Sequence, residues 1–226
     1  MKINVLSAFI KAIAQFADPS VRKVVWKAVG TAVLTFIVMW VGIGFLLTET
    51  AFFGWGWLET TVDVLGGLAT FILTWVLFPA IVSVAMGFFV DQVADAVESK
   101  HYPHLPDVRD QTVGEILAVT LKFAGIAVVL NLLALPLYLI PGVNLAVFYV
   151  LNGYLLSREY FELVAFRRAD PANVLALRSR YKITLLLAGV VIAFLMTVPV
   201  INLLAPVIAT AAMVHLFQKW GDGAPA

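Results

Sequence analysis

The sequence predicts an all-α integral membrane protein, and three observations support that prediction. Of the 226 residues, 62% are hydrophobic and 13% are charged, with a mean hydropathy of +0.97, whereas an average soluble domain is only about 45–50% apolar. Two long uncharged runs, residues 28–47 and 65–90, can each cross a hydrocarbon core of about 30 Å at about 1.5 Å per residue. The later apolar runs are shorter and are broken by proline. We therefore expect two long spanning helices and two hemi-penetrating (re-entrant) helical hairpins.

The first segment predicts an amphipathic helix at the membrane interface. Apolar residues recur there at spacings of three and four, and the lysines lie off this stripe. Because charged residues interrupt the segment, we expect no cleavable signal peptide. Asp18-Pro19 is typical of an N-cap followed by proline, which predicts a new helix from Ser20. Within one integral membrane domain, 1–226, the predicted elements are the interfacial helix 1–17, the spanning helices 20–47 and 65–100, and the hairpins 112–157 and 172–220.

The distribution of basic residues sets the predicted orientation. All 15 Lys and Arg residues lie outside residues 28–99, with five before this region and ten after it. Under the positive-inside rule both termini are cytoplasmic, as are the segments near residue 100 and over 158–182, while the loop over 48–64 faces outside. The formal net charge of +1 provides no general attraction to nucleic acid, so we expect no nucleic-acid partner.

Two similar breaks predict the hairpins. One reads PGVNL from Pro141, the other reads PVINL from Pro199, and the apolar run on either side is too short for a complete span. Two pairs of kinked, complete spanning helices are the alternative, and charge alone does not separate the two. Asn144 and Asn202 at these breaks are candidates for lining a pathway, although each also suits the simpler role of capping the helix that follows.

Residues 18–23, DPSVRK, form the most specific polar constellation. A helix that opens there presents free backbone N–H groups beside a hydroxyl and two cationic side chains, which together favour an anion. Two other roles compete with anion binding. Asp18 as a cap would occupy some of those donors, and Arg22 and Lys23 would also suit anchoring to phospholipid.

Arg178 and Arg180 lie in a second cationic run that follows another Asp-Pro helix start, at Asp170. They are pathway candidates, and positive-inside anchoring is the alternative role. His215 stands alone on an apolar face. The chain shows neither a nucleophile beside a base nor a phosphate-binding glycine loop. We therefore expect no enzymatic activity, no cofactor and no metal site.

Four segments resemble the CysZ-type sulfate permease family, which belongs to the wider etoposide-induced-protein membrane family. The segments are LYLIPGV (137–143), REYF (158–161), ALRSRYKIT (176–184) and VPVINLLAPV (198–207). The resemblance runs in order over nearly the whole chain. It implies a homo-oligomeric, multi-pass protein of the bacterial inner (plasma) membrane, in contact with membrane lipids, that conducts sulfate or a similar oxyanion for cysteine biosynthesis.

The resemblance also implies a sulfate-binding site. Members of that family carry a Gly-Leu-Arg-Arg-like motif at the start of the first long helix, and the matching positions here are Ser20, Val21, Arg22 and Lys23. Lysine in place of the second arginine keeps the charge and loses the planar two-pronged geometry. The alternative function is a non-transporting membrane scaffold or lipid-interacting protein, built around the amphipathic N-terminus and the cationic face.

The re-entrant topology predicts that Asn144 and Asn202 lie within the membrane, while the flanks of each hairpin open to the cytoplasm. The chain contains no cysteine, so single cysteines can be introduced without a background. An impermeant thiol reagent added from outside should label a cysteine in the loop over 48–64 and should not label cysteines at 142–145 or 199–202. Equal labelling of both groups would show that the helices cross completely.

Overall fold

The computed structural model describes residues 4–48, 66–68, 72, 89–198 and 201–221. All regular structure in these residues is helical, which confirms the predicted all-α class for this part of the chain. The helices are α1 (Val5–Ala14), which continues into a short 3₁₀ turn (Gln15–Ala17), α2 (Pro19–Thr48), α3 (residues 89–101), α4 (Val113–Tyr138), α5 (Val143–Ala165), α6 (Pro171–Arg180), α7 (Lys182–Thr197) and α8 (Ile201–Gly221).

The chain divides into two compact units, one formed by Met1–Val21 with Val93–Ala226 and the other by Arg22–Gln92. Most of α2 belongs to the second unit. This helix has 30 residues and is about 45 Å long at about 1.5 Å per residue, and it begins one residue before the predicted start. Nearly all of the loop over 48–64 and most of the second predicted span, 65–100, lie outside the described residues.

Helix α8 is the core of the first unit, where it packs against α1, α5 and α7. Its side chains are buried on every face, as expected for a helix that is apolar all round. The sequence predicted a short apolar arm over 203–217, and the helix is longer than that arm. The buried positions of α8 are Ala205, residues 207–218 and Trp220.

Helices α5 and α7 form the most extensive helix pair of the first unit, and their backbones meet at two glycines. A Cβ atom added at Gly189 would overlap the carbonyl oxygen of Gly153 and lie 2.7 Å from Cβ of Ser157. A Cβ atom at Gly153 would lie 2.7 Å from Cγ2 of Val190. Small residues at such a crossing allow helices inside a membrane to approach closely.

Helix α4 is continuous through Lys122, Asn131 and Pro136, which interrupt its apolar run. The Asn131 amide donates to the carbonyl oxygen of Ala127 at 2.8 Å, so this polar group is satisfied within the helix. Pro136 lies near the C-terminal end of the helix, and its missing N–H group removes one bond to the preceding turn. Thr112 and Glu115 form a capping box at the start of α4.

The helices of the first hairpin are longer than the half-length arms that the sequence predicted. α4 has 26 residues and α5 has 23, because α5 continues past its apolar part through a polar segment to Ala165. No residue of the most apolar 18-residue window of α4 is buried. Among the described residues, α4 is the one helix that is long and apolar enough to cross a membrane, or one of two if the bent pair α6 and α7 counts as a single span.

The second hairpin region begins with a sharp bend. Asp170 caps α6 by accepting from the backbone N–H groups of Ala172 and Asn173 at 2.9 and 3.0 Å, with Pro171 in the first turn, which confirms the predicted Asp-Pro helix start. The bond from Asn173 is the main cause that lowers the pKa of this exposed carboxyl. α6 and α7 meet at Tyr181 with an angle of 85°. α7 has 16 residues, about 24 Å, so its short length agrees with the sequence, while the depth of both hairpins stays a prediction.

The glycine contact predicts a stability effect that a single methyl group can test. Gly189→Ala places Cβ against backbone atoms of α5, so we expect a loss of about 1–3 kcal/mol, the usual range for overpacking, measured by thermal unfolding in detergent. Gly125→Ala is the matched control, because a Cβ there meets nothing within 4 Å and glycine within a helix already costs about 0.5–1 kcal/mol. Equal melting temperatures for the two variants would contradict the close packing of α5 and α7.

Candidate functional site

The predicted anion site lies at the start of α2. Asp18 has an extended backbone (φ −74°, ψ 128°) and its carboxylate pairs with Lys100. Ser20, Arg22 and Lys23 are exposed in the first turns, while Val21 is buried. Within the described part of the chain, neither Arg22 nor Lys23 forms an ion pair. These two cations and the nearby hydroxyl are therefore accessible to a ligand.

The two asparagine positions differ in detail from the predicted caps. Gly142 is the N-cap of α5, with φ +83°, a conformation that glycine adopts with little steric cost. Asn144 lies in the first turn, where its side-chain oxygen accepts from the N–H of Leu145 at 2.7 Å. Asn202 is the second residue of α8, and its N–H donates to the carbonyl oxygen of Val198 at 2.9 Å. Both asparagines are exposed, and Pro199 and Val200 lie outside the described residues.

Arg178 belongs to a buried cluster that the sequence did not predict. Its guanidinium pairs with Oε1 of Glu162 on α5, and the same oxygen accepts from Nε of Arg158 at 2.8 Å. Arg158 also lies over the ring of Phe123, 5.6 Å from its centroid. We call Arg158, Glu162 and Arg178 the shared-carboxylate cluster. The motif REYF drew attention to this stretch of α5, but nothing in the local sequence indicated that Glu162 would face α6.

Arg180 has different surroundings although it lies two residues from Arg178. It is exposed, and its guanidinium lies 5.7 Å from the ring centroid of Tyr181. That ring stacks on Trp220 of α8, with centroids 4.2 Å apart and an angle of 3° between the planes. The structure therefore ties the end of α6 to the end of α8 and does not bring Arg180 into the shared-carboxylate cluster.

A second ionic cluster joins α3 to the turn after α5. Glu98 is buried and accepts from Arg168 Nη2 at 2.7 Å, and Nη2 of Arg167 lies 3.6 Å from the same carboxylate. Arg167 also pairs with Asp95, and Arg168 donates to the carbonyl oxygen of Pro106. We call Asp95, Glu98, Arg167 and Arg168 the Glu98 cluster. Because each arginine has a carboxylate partner, these cations hold the fold together and are not free to bind a ligand.

His215 is not alone, contrary to the expectation from sequence. It is buried, and the Gln15 amide donates to its Nε2 at 2.7 Å. Nδ1 therefore carries the proton and donates to the Tyr102 hydroxyl oxygen at 2.8 Å. The ring of His101 lies 5.4 Å away, and partial desolvation followed by the charges of neighbouring lysines lowers the pKa of His101. This cluster joins the 3₁₀ turn after α1 and the end of α3 to α8, and it was missed because its members are up to 200 residues apart.

A metal site is not formed by the residues that the structure describes. No group of three or more His, Asp or Glu side chains among them could hold a metal ion. The described residues include exposed cations and the amides of helix starts. Such groups are suited to binding an anion and holding it in place.

The Glu98 cluster predicts a large stability effect from one neutral substitution. Glu98→Gln leaves two guanidinium groups beside an uncharged amide, and breaking a buried ion pair in this way typically costs about 3–5 kcal/mol. Asp95→Asn is the matched control, since the Asp95 side chain is 61% exposed against 4% for Glu98 and exposed pairs contribute about 0–1 kcal/mol. Unfolding in detergent should separate the two variants clearly. Similar small losses in both would show that the cluster is not a structural element.

The chain matches the model of a known protein family. Residues 8–206 match the family described as "Sulfate transporter CysZ/Etoposide-induced protein 2.4". A comparison with individually curated proteins gives no significant match. The matched region covers far more than half of the chain, from within α1 to the start of α8. The chain therefore belongs to the sulfate transporter CysZ/etoposide-induced protein 2.4 family.

Proposed function

We propose that this protein gives sulfate, or a similar oxyanion, a passage across the bacterial inner membrane and so supplies sulfate for cysteine biosynthesis. The family match over residues 8–206 is the observation that carries the proposal. The continuous apolar helices are consistent with a membrane location. The chain acts as a transporter and not as an enzyme, and it needs no cofactor.

The start of α2 supports an anion site in the first span. Backbone N–H groups of a helix start and the helix dipole contribute about 0.3–1 kcal/mol toward an anion. A hydrogen bond from a charged group contributes about 1.5–3 kcal/mol. Arg22 therefore supplies the larger share, with Ser20, Lys23 and the amide near Val21 adding further donors. The exposure of Arg22 and Lys23 supports this role.

The two hairpins supply the remaining candidates for the pathway. Asn144 and Asn202 are exposed near the starts of α5 and α8, and helix starts carry the positive end of the helix dipole. Arg178 and Arg180 lie on α6, before the bend into α7. We propose that these groups provide further contacts for the anion.

A homo-oligomer fits the exposed surface of α4. This helix is uncovered along its apolar window, and it also exposes Lys122 and Asn131. Charged and amide side chains are costly against lipid tails and are usually directed toward protein or water. Neighbouring protomers would provide that cover, together with membrane lipids along the purely apolar positions.

One observation favours the alternative class, a non-transporting scaffold or lipid-interacting protein. α1 buries Ala8, Phe9 and Ala12 against the fold, yet Leu6, Ile10 and Ile13 are exposed. A second apolar face of this kind suits insertion into the headgroup region of a membrane. The same face is compatible with a transporter, so the two functions must be separated by experiment.

Flux of radiolabelled sulfate into proteoliposomes tests the proposal. We expect more sulfate uptake than in protein-free liposomes. In Arg22→Ala the apparent affinity for sulfate should fall ten-fold or more, which corresponds to about 1.5 kcal/mol or more of charged hydrogen bonding. Arg22→Lys should lose less, because the charge remains and only the two-pronged geometry is lost. Lys27→Ala, an exposed lysine on the same helix, controls for surface charge.

The scaffold alternative predicts the opposite pattern. If Arg22 only anchors the helix to lipid, Arg22→Ala would bind anionic liposomes more weakly and bind sulfate unchanged at constant ionic strength. Absence of sulfate flux by the unmodified protein would overturn the transport proposal itself.

A further inference from the structure

Two arginines compete for one carboxylate in the shared-carboxylate cluster. Oε1 of Glu162 accepts from Nε of Arg158 and pairs with Nη1 of Arg178. The side chains of Arg158 and Glu162 are 4% and 7% exposed. The cluster therefore carries a formal charge of +1 in a buried position, and an uncompensated buried charge is unfavourable.

One donor of this cluster has no acceptor. Nη1 of Arg158 is buried, and among the described residues it has no hydrogen-bond partner. The face of the Phe123 ring lies beside the guanidinium, but a cation over a ring compensates charge only weakly compared with an anionic acceptor. The net positive charge and the unpartnered donor of the site thus suit one further anionic group.

The cluster reaches solvent through Arg178. The Arg178 side chain is 27% exposed, whereas Arg158 and Glu162 are buried. A ligand that approaches Arg178 from solvent therefore meets a guanidinium whose carboxylate partner is shared with Arg158.

We propose that the shared-carboxylate cluster is a second binding site for the transported oxyanion, in which Glu162 acts as an internal anion that sulfate displaces from the two arginines. The inference rests on the proposed transport function and adds a second site to it. A tetrahedral oxyanion offers several acceptor oxygens and can bind both guanidinium groups at once. Glu162 pairs with the arginines when the oxyanion is absent. The observed affinity for sulfate is therefore set by how much more strongly the arginines bind sulfate than the Glu162 carboxylate.

This competition gives an unusual expectation for Glu162→Gln. Loss of the competing charge should raise the affinity for sulfate by ten-fold or more. Arg158→Gln should lower the same affinity, since it removes the unpaired donor. A purely structural ion cluster would instead lose stability in both variants and gain no sulfate affinity in either.

The test measures equilibrium binding of radiolabelled sulfate to the purified protein in detergent, at constant ionic strength with chloride. The Arg22→Ala background removes the first site, so that remaining binding reports on the second. Asp95→Asn is the control, because it removes a carboxylate from Arg167, another arginine of the same unit, and its exposed position predicts little loss of stability. Tighter binding in Glu162→Gln and weaker binding in Arg158→Gln, with no gain in Asp95→Asn, are the expected results.

Stability provides a second measurement if Glu162→Gln folds poorly. Sodium sulfate should raise the melting temperature of this variant more than sodium chloride of the same ionic strength, and more than it raises that of the unmodified protein. Vesicles of phosphatidylglycerol should not raise the melting temperature of this variant in the same way. If they did, a lipid headgroup would be the ligand, and that result would overturn the proposal.

The two proposals fail in different ways. In one outcome, sulfate flux depends on Arg22, while sulfate binding is the same in Glu162→Gln and Arg158→Gln as in the unmodified protein. That outcome would overturn the second site and leave transport intact. Sulfate binding that responds to Glu162→Gln, without flux in proteoliposomes, would support the site and remove the transport function.

Discussion

The backbone contact between Gly153 and Gly189 is the constraint on which the first unit depends. It brings the backbones of α5 and α7 together at two glycines, and α8 packs against both of these helices and against α1. The face of α5 that follows Gly153 then includes Ser157 and Phe161, which are also buried. The orientation of α5 fixed by this contact places Arg158 and Glu162 inside the fold.

Local features of the fold were predictable from the sequence, because their causes are local. Helices start at Asp18-Pro19 and at Asp170-Pro171 as expected, since a proline acts within one turn. α4 runs unbroken through the polar residues of its apolar run and ends before the predicted break at Pro141. A polar residue such as Asn131 interrupts an apolar pattern, but its amide bonds to Ala127 one turn earlier and so leaves the helix intact.

The arrangement of charges was much less predictable. Arg168 meets Glu98 across 70 positions, and Gln15 meets His215 across 200. No periodicity connects residues so far apart. The sequence indicated that basic residues gather on one side of the membrane, which predicts orientation. Only the fold shows that Arg22 is exposed, whereas Arg167 and Arg168 are neutralised by carboxylates. The anion site at the start of α2 stays a prediction that the fold is compatible with.

The 85° bend at Tyr181 makes α6 a short lever attached to α7 by a single residue. α6 has 10 residues and is about 15 Å long, so a rotation of about 4° at Tyr181 would move its far end by about 1 Å. Two polar or aromatic contacts hold the lever, one at its pivot, where Tyr181 stacks on Trp220, and one on α6, where Arg178 pairs with Glu162. Release of Arg178 from Glu162 would leave α6 held by the aromatic stack and by the buried side chains of Val174 and Leu177.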